Sequence, residues 1–155
     1  MAVTPPVALV PVPAEEYDEF FAMLATYHAE LDTYDPHAED WDAEVHRRAV
    51  LDDMEGREVS WVLADGERAG LLMVRVLPDW PDESREVASI AEFYVAPPFR
   101  RRGVGREAIV ALLADHRARG TFEVEAGILA LNEPARAFWA SLGFEVRNIV
   151  TARRP

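Results

Sequence analysis

The chain has 155 residues, half of them hydrophobic, with a formal net charge of −12 and neither cysteine nor lysine. This length suits one domain with one core, so we expect a single domain over residues 1–155. The lack of cysteine excludes disulfides, thiolate metal sites and a cysteine nucleophile. No apolar run approaches the roughly 18–20 residues of a membrane span, and the start lacks the basic segment of a signal peptide. We therefore expect no membrane partner and a cytoplasmic location.

The charge is unevenly distributed along the chain. Residues 1–92 carry 22 acidic and 6 basic side chains, a net of −16, whereas residues 93–155 carry 6 acidic and 10 basic ones, a net of +4. The acidic half would repel nucleic acid and favour a cationic partner such as an amine. The acidity is equally compatible with a role in solubility alone.

Hydrophobic periodicity in the first half predicts strands and two helices. Apolar residues recur at spacings of three and four after Pro13, which is typical of an amphipathic helix. Asp65-Gly66-Glu67 is a hairpin-turn sequence between two β-branched runs. In chain order we predict a strand over Val7–Val12, a helix over Ala14–Leu31, a helix from Asp40 or Asp42 to Met54, and strands over Val59–Ala64 and Ala69–Leu77.

The segment Ala88–Gly105 is the most informative stretch of the chain. A strand with one charge, Glu92, is followed by two prolines that cannot donate to a sheet. The basic glycine loop Arg100–Gly105 then leads into a predicted helix that runs to about Arg119. Free backbone amides at a helix N-terminus attract phosphate, glycines permit close approach, and arginines add bidentate donors. The pattern therefore predicts a phosphate-binding loop.

The remaining residues are expected to add a strand over Thr121–Leu131, a helix over Glu133–Leu142 and a last strand over Phe144–Ala152. The loop is not G-x-G-x-x-G, and without lysine it is not the loop of a P-loop NTPase. Three arginines in an acidic protein are weak support for nucleic-acid binding. The four histidines form no H-x-x-x-H or H-E-x-x-H pair, so no metal site is predicted.

Two blocks of sequence together resemble a known superfamily. Arg100-x-x-Gly103-x-Gly105 resembles the Q/R-x-x-G-x-G/A pyrophosphate loop of the GCN5-related N-acetyltransferase (GNAT) superfamily. One helix and one strand later, residues 132–144 (NEPARAFWASLGF) resemble its N-x-x-A-x-x-F-Y-x-x-x-G-F segment. The two blocks and the strand before them cover residues 88–144, while the first half of the chain matches only in its order of elements.

The resemblance implies an α/β fold of the acyl-CoA N-acyltransferase type. We expect a mixed, mostly antiparallel sheet of six to seven strands with helices on both faces, in the order β-α-α-β-β-β-α-β-α-β. It also implies that strands four and five splay apart, so that the freed edge of strand four pairs with the pantetheine arm of acetyl-coenzyme A. The protein would then be a monomer or homodimer that binds acetyl-coenzyme A and an amine acceptor.

The resemblance also implies which residues contact the cosubstrate. The pantetheine arm would lie along strand four, and the diphosphate would lie in the basic loop. In the second block, Asn132 would contact the pantetheine arm or orient a water, and Phe138 would flank the nucleotide end. The residues are Phe93, Tyr94, Val95, Arg100, Arg101, Arg102, Gly103, Val104, Gly105, Arg106, Asn132, Ala135 and Phe138. Asn132 is also well placed as the N-cap of the helix that follows it.

The implied reaction is direct attack of a neutral amine on the thioester, with a backbone N–H near Tyr94–Ala96 stabilising the oxyanion. Glu92 is the expected general base, although it could also face solvent or pair with an arginine. Family members often place a tyrosine acid where this chain has Trp139, and indole does not donate a proton at useful pH. Either the thiolate leaves unaided or another hydroxyl donates the proton; Tyr94 is then the expected catalytic hydroxyl, with Ser141, Tyr27 and Tyr34 as alternatives.

Three functions remain open from the sequence. The first is N-acetylation of a small cationic amine or a protein amine. The second is an acyl-coenzyme A-binding module with little turnover, which is considered because Trp139 replaces the usual tyrosine acid. The third is use of a different acyl donor, or an interaction role.

Overall fold

The computed structural model describes residues 3–155. Five strands form one sheet: β1 (Val7–Pro11), β2 (Arg57–Ala64), β3 (Glu67–Pro78), β4 (Glu86–Val95) and β5 (Glu123–Ala126). Four α-helices pack on it: α1 (Tyr17–Leu31), α2 (Ala43–Leu51), α3 (Val104–Arg119) and α4 (Glu133–Ser141). Short 3₁₀ turns occupy Ala14–Glu16, Asp32–Tyr34, Ala38–Asp40 and Pro97–Phe99. No helix among these residues is long and apolar enough to cross a membrane.

The strands lie in sequence order, β1-β2-β3-β4-β5. The pairs β1–β2, β2–β3 and β3–β4 are antiparallel, and the pair β4–β5 is parallel. The β2–β3 hairpin turns at Asp65 and Gly66, both at positive φ, as a two-residue turn between right-twisted strands requires. The expected mixed, mostly antiparallel sheet is confirmed.

Alternating residues of the central strands fill two separate core layers. Leu72 and Val74 of β3 are buried with Ile109 of α3. Leu71 and Met73 of the same strand are buried with residues of α1 and α2 on the opposite face. Since side chains of a strand point alternately to its two faces, β3 supplies both layers and reads as an almost unbroken apolar run. The expected placement of helices on both faces is confirmed.

The expected strand count was too high. Phe144–Ala152 was predicted to form a last strand, but residues 142–155 have no regular secondary structure, and residues 145–155 are exposed. β5 is also shorter than predicted, and it pairs with β4 through four residues only. A β pattern forms a strand only where a neighbouring backbone pairs with it. The sheet therefore has five strands within residues 3–155, not six or seven.

Helix ends follow their capping residues. The Asp42 carboxylate accepts the Val45 amide at 2.8 Å and begins α2, which confirms one of the two predicted caps. This helix ends at Leu51, three residues earlier than predicted. After α4, Gly143 has φ +86°, and the Phe144 amide returns to the Trp139 carbonyl. This pattern of a left-handed glycine and a six-residue return closes the helix.

Candidate active site

A β-bulge in β4 determines which side of the sheet Glu92 faces. Ile90 pairs with Val74 of β3 while Glu92 pairs with the adjacent Met73, so Ala91 has no partner. One extra residue reverses the faces of all residues that follow it on the strand. Ile90 therefore lies in the layer under α3, whereas Glu92, two residues later, faces α1.

Beyond the bulge the two faces have different roles. Tyr94 is buried in the α1 layer, and Phe93 and Val95 pack in the α3 layer. In antiparallel strands, amides of alternate residues point to the same neighbour. Because the Ala96 amide donates to the Ala69 carbonyl of β3 at 2.7 Å, the amides of Val95 and Phe93 point away from β3. The predicted oxyanion donor between Tyr94 and Ala96 is thereby narrowed to Val95.

The strands β4 and β5 separate, as the resemblance implied, but they do so before Glu92 and not after it. Their pairing stops at Ile90 and Ala126, so the last five residues of β4 have no neighbour on that edge within residues 3–155. The Val95 carbonyl on this edge accepts from Arg100 Nε at 2.7 Å. The Phe93 and Val95 amides remain available to an extended ligand, which pairs with an open edge as an added strand does.

The basic loop places backbone donors at the start of α3. The first bond of the helix is donated by Glu107 to the Gly103 carbonyl at 3.0 Å, so the amides of the first turn before it have no partner within the helix. Gly103 has φ +81° and Arg101 φ +61°. Such alternation of the backbone directs successive N–H groups into one concavity that binds anions.

The glycines of this loop lie against other parts of the protein. A Cβ at Gly103 would meet Thr4 Oγ1 at 2.8 Å, and a Cβ at Gly105 would meet Phe138 Cε2 at 3.3 Å. Arg101, Arg102 and Arg106 form no salt bridge among residues 3–155. Arg101 and Arg106 line the cleft, whereas the guanidinium of Arg102 lies 6.0 Å from the Phe99 ring centroid and Arg102 is not part of the lining. Free amides with two arginines beside them make a cradle that fits a diphosphate.

Arg100 has a different arrangement from the other arginines of the loop. Its Nη2 donates to Glu30 Oε2 of α1 at 2.7 Å, and the other oxygen of Glu30 accepts the Tyr94 hydroxyl at 3.1 Å. Burial, and then the charge of Glu30, raises the pKa of Tyr94. Arg100 thus joins the loop to α1 and to the end of β4. Its contact with a phosphate stays a prediction.

The residues of the second block lie where the cleft meets α4. Asn132 Oδ1 accepts the Ala135 amide at 3.1 Å, so Asn132 caps α4. The ring of Phe138 stacks on Phe93, with centroids 5.9 Å apart. Trp139 is buried in the α3 layer and also borders the cleft, and its role as a packing residue stays a prediction. The contacts of Asn132, Ala135 and Phe138 with a cosubstrate stay predictions.

One cleft of about 960 Å³ joins these parts. At one end it is lined by Gly103, Gly105 and Arg106, along its middle by β4 residues 90–95, and at the other end by residues of α1 and the segment after it. The last group includes Tyr27, His28, Glu30, Asp32, Tyr34, Asp35 and Trp41. A donor on the basic loop and an acceptor near α1 would therefore meet at β4.

Glu92 lies at that meeting point with two histidines. It is 9% exposed, and its Oε1 is 3.1 Å from His28 Nε2 and 3.6 Å from His46 Nε2. His28 is held flat against Trp41, with centroids 4.1 Å apart and planes 2° apart. Burial lowers the pKa of His46, with Glu92 acting in the opposite direction. Burial, with the charges of Glu92 and Glu30, raises the pKa of Tyr27 to about 12.

The sequence did not indicate the partners of Glu92. The helical stripe of α1 placed His28 inward, but His28 and Glu92 are 64 residues apart, and the bulge that brings them together leaves no clear pattern. The role of Glu92 as a base and that of Tyr94 as an acid remain predictions.

Comparison with known proteins agrees with this geometry. Residues 17–144 match the model of the acetyltransferase (GNAT) family, and the chain belongs to that family. It is 24% identical to the uncharacterized N-acetyltransferase YycN of Bacillus subtilis over 96% of this chain and 98% of YycN. The crystal structure of the putative acetyltransferase YycN has a TM-score of 0.74 at 22% identity, covering 97% of this chain and 99% of that chain. This structural likeness concerns the fold.

Two further relatives carry related names. The chain is 32% identical to the aminoglycoside N(6')-acetyltransferase type 1 of Stenotrophomonas maltophilia, over 68% of this chain and 71% of that protein. It is 40% identical over 68 residues to the uncharacterized N-acetyltransferase MJ1207 of Methanocaldococcus jannaschii, a match that spans 44% of this chain and 30% of that protein. The protein is thus an acyltransferase of the GNAT type.

Proposed function

We propose that this enzyme transfers the acetyl group of acetyl-coenzyme A to a primary amine of a small cationic acceptor, by direct attack while both are bound. The single observation that carries the proposal is the continuous cleft, with the basic glycine loop at one end, residues of α1 at the other, and the buried carboxylate of Glu92 on β4 between them. The named N-acetyltransferases among its relatives support the reaction type.

The donor end of the cleft supports acetyl-coenzyme A. The amides of the first turn of α3 and the guanidinium groups of Arg101 and Arg106 would hold the diphosphate. The open edge of β4 at Phe93 and Val95 would pair with the amides of the pantetheine arm. The bound thioester would supply the activated acyl carbon, and the Val95 amide, which points away from β3, would donate to its oxygen as that oxygen gains charge.

The acceptor end supports a cationic amine. Glu30, Asp32, Asp35 and Glu92 line it together with Tyr27, His28, Tyr34 and Trp41. Carboxylates with aromatic faces attract ammonium groups by charge and by cation–π contact. An acidic acceptor would meet the same carboxylates and be repelled. The Stenotrophomonas maltophilia relative is named for an aminoglycoside, which is a cationic amine of this kind.

The proton transfers can be assigned to named groups. An acceptor ammonium loses one proton to Glu92, which is hydrogen-bonded to His28 and so has a route to the cleft. The free amine attacks the thioester carbon, the C–S bond breaks as the sulfur takes the Tyr94 proton, and the second proton of the nitrogen passes to the Tyr94 oxygen, which restores the hydroxyl. Tyr94 is the proposed donor to sulfur. Its hydroxyl, bonded to Glu30 in the free protein, would exchange that partner during release.

Product analysis by mass spectrometry with a panel of amines tests the proposal. The panel should contain an aminoglycoside, a polyamine, a peptide with a free N-terminus and an acidic amino acid, each with acetyl-coenzyme A. We expect the cationic amines to be acetylated and the acidic one to remain unmodified. Calorimetry with the donor is done in parallel. Donor binding with no acetylated amine would favour the acyl-coenzyme A-binding module. If the donor does not bind and no amine is acetylated, the assignment of the cleft is refuted.

A further inference from the structure

The side chains of His28, His46 and Glu92 form a cluster that the acetyl-transfer mechanism does not fully explain. They come from α1, α2 and β4, and their nearest ligand-type atoms all lie within 4.8 Å of one another. Both histidine Nε2 atoms approach the same oxygen of Glu92, at 3.1 and 3.6 Å. Two imidazoles that converge on one carboxylate oxygen enclose a small volume between three electron-pair donors.

We propose that this cluster is a binding site for a late first-row divalent cation, with Zn²⁺ as its representative, and that the bound ion inhibits the enzyme. Zn–N and Zn–O bonds of about 2.0–2.2 Å at tetrahedral angles place ligand atoms roughly 3.3–3.6 Å apart. The His46–Glu92 distance of 3.6 Å fits this spacing, and the His28–Glu92 distance of 3.1 Å is slightly shorter than it. The two nitrogens lie within 4.8 Å of each other, and side-chain rotations would have to bring them to the same spacing.

The ligand set selects the kind of ion. Two imidazole nitrogens and one carboxylate suit zinc, copper or nickel, whereas magnesium and calcium prefer oxygen ligands alone. The three side chains are 10–22% exposed, so the ion would be partly shielded from water. The stacking of His28 on Trp41 fixes the plane of one ligand before binding, which reduces the conformational entropy lost when the ion binds.

The position of the cluster gives the expected effect of the ion. His28, Glu92 and Trp41 line the cleft, so the fourth coordination position opens toward the acceptor end and is available to water. An ion on the Glu92 oxygen would prevent that carboxylate from accepting a proton. Competition with the amine rests on the proposed function, whereas binding of the ion does not.

Calorimetric titration of chelator-treated protein with Zn²⁺ tests the site directly. We expect saturable binding of one ion per chain and a rise in the unfolding temperature, because the ion binds the folded state. His46→Asn and Glu92→Gln each remove one ligand and should weaken binding by about tenfold or more, since even outer-shell substitutions cost that much. His37→Asn is the matched control, because His37 is exposed and outside the cluster.

The outcomes separate the metal site from the proposed function. No saturable binding, or equal affinity in wild type and in the folded ligand variants, would overturn the site. Acetylation in the presence of Zn²⁺ should be followed by mass spectrometry of the product, because the released thiol itself binds zinc. We expect inhibition competitive with the amine. A protein that binds zinc through these residues but acetylates nothing would retain the metal site and refute the proposed function.

Discussion

The diphosphate cradle can be tested by a single side chain at Gly105. A Cβ at this position would lie 3.3 Å from Phe138 Cε2 and 3.6 Å from Val95 Cγ2, and φ is not in the left-handed region. Gly105→Val therefore crowds Phe138 and Val95, and we expect it to lower stability by about 1–3 kcal/mol, part of which the loss of glycine from a helix offsets. The added methyl groups would stand between the anion and the first-turn amides.

The expected loss of affinity follows from those amides. Hydrogen bonds to a charged group contribute about 1.5–3 kcal/mol each, so the loss of two corresponds to about 3–6 kcal/mol, or roughly 10²–10⁴ in dissociation constant. Isothermal titration with acetyl-coenzyme A measures this, and thermal unfolding confirms that the variant is folded. Gly105→Ala is the matched control and should retain affinity, because the family loop pattern also has alanine at this position. A folded Gly105→Val protein with wild-type affinity would refute the assignment of the cradle.

Three further predictions address the base, the sheet and the pH dependence of stability. Glu92→Gln should lower kcat about 10²–10⁴-fold, which corresponds to about 2.7–5.4 kcal/mol of activation free energy, and should leave the affinity for the donor unchanged. Glu86→Gln, at the exposed start of the same strand, is the control and should leave kcat unchanged. Equal kcat values for the two variants would show that Glu92 is not the base. Gly70→Ala should destabilise the protein by about 3 kcal/mol or more in urea unfolding, because its Cβ would overlap a carbonyl oxygen of β4. Gly127→Ala, with open space around the new methyl group, is the control, and equal midpoints would contradict the register. Burial lowers the pKa of His116 below its usual value of 6.5, so the folded state binds fewer protons than the unfolded chain. The contribution of this residue to stability is therefore fully present above about pH 6.5 and is lost as the pH falls through the folded-state pKa. His116→Gln should flatten this slope in thermal unfolding from pH 7.5 to 5, and an unchanged slope would count against it.

The sequence was most informative where local chemistry determines structure. Pro97 and Pro98 end β4 close to where they were predicted to, and the glycine loop leads into a helix that ends at Arg119, before Gly120. Both features depend on residues that are adjacent in the chain. The separation of β4 from β5 was expected from the family resemblance, and it is present after Ile90.

Features that depend on distant residues could not be predicted in this way. The bulge at Ala91 arises from pairing with β3, and an alanine between two strand residues gives no sign of it. The contact of His46 with Glu92 requires α2 to pack beside α1. The apolar residues of α2 do not predict that packing, since Val45 is exposed and Val50 is buried. The failed prediction of a strand after Phe144 has the same cause, because a favourable pattern does not provide a neighbouring strand.

Because of the unpaired Ala91 in β4, the number of residues in this strand determines which face of the sheet Glu92 occupies. Loops at either end can gain or lose residues without changing which way the strand's side chains point. Loss of one residue between Ile90 and Glu92 would instead turn the carboxylate to the opposite face of the sheet, away from its histidines and into the hydrophobic core that contains Ile109. Shortening this strand, or grafting it between related enzymes, must therefore preserve the extra residue, or the Glu92 carboxylate will lie on the opposite face of the sheet from its histidines.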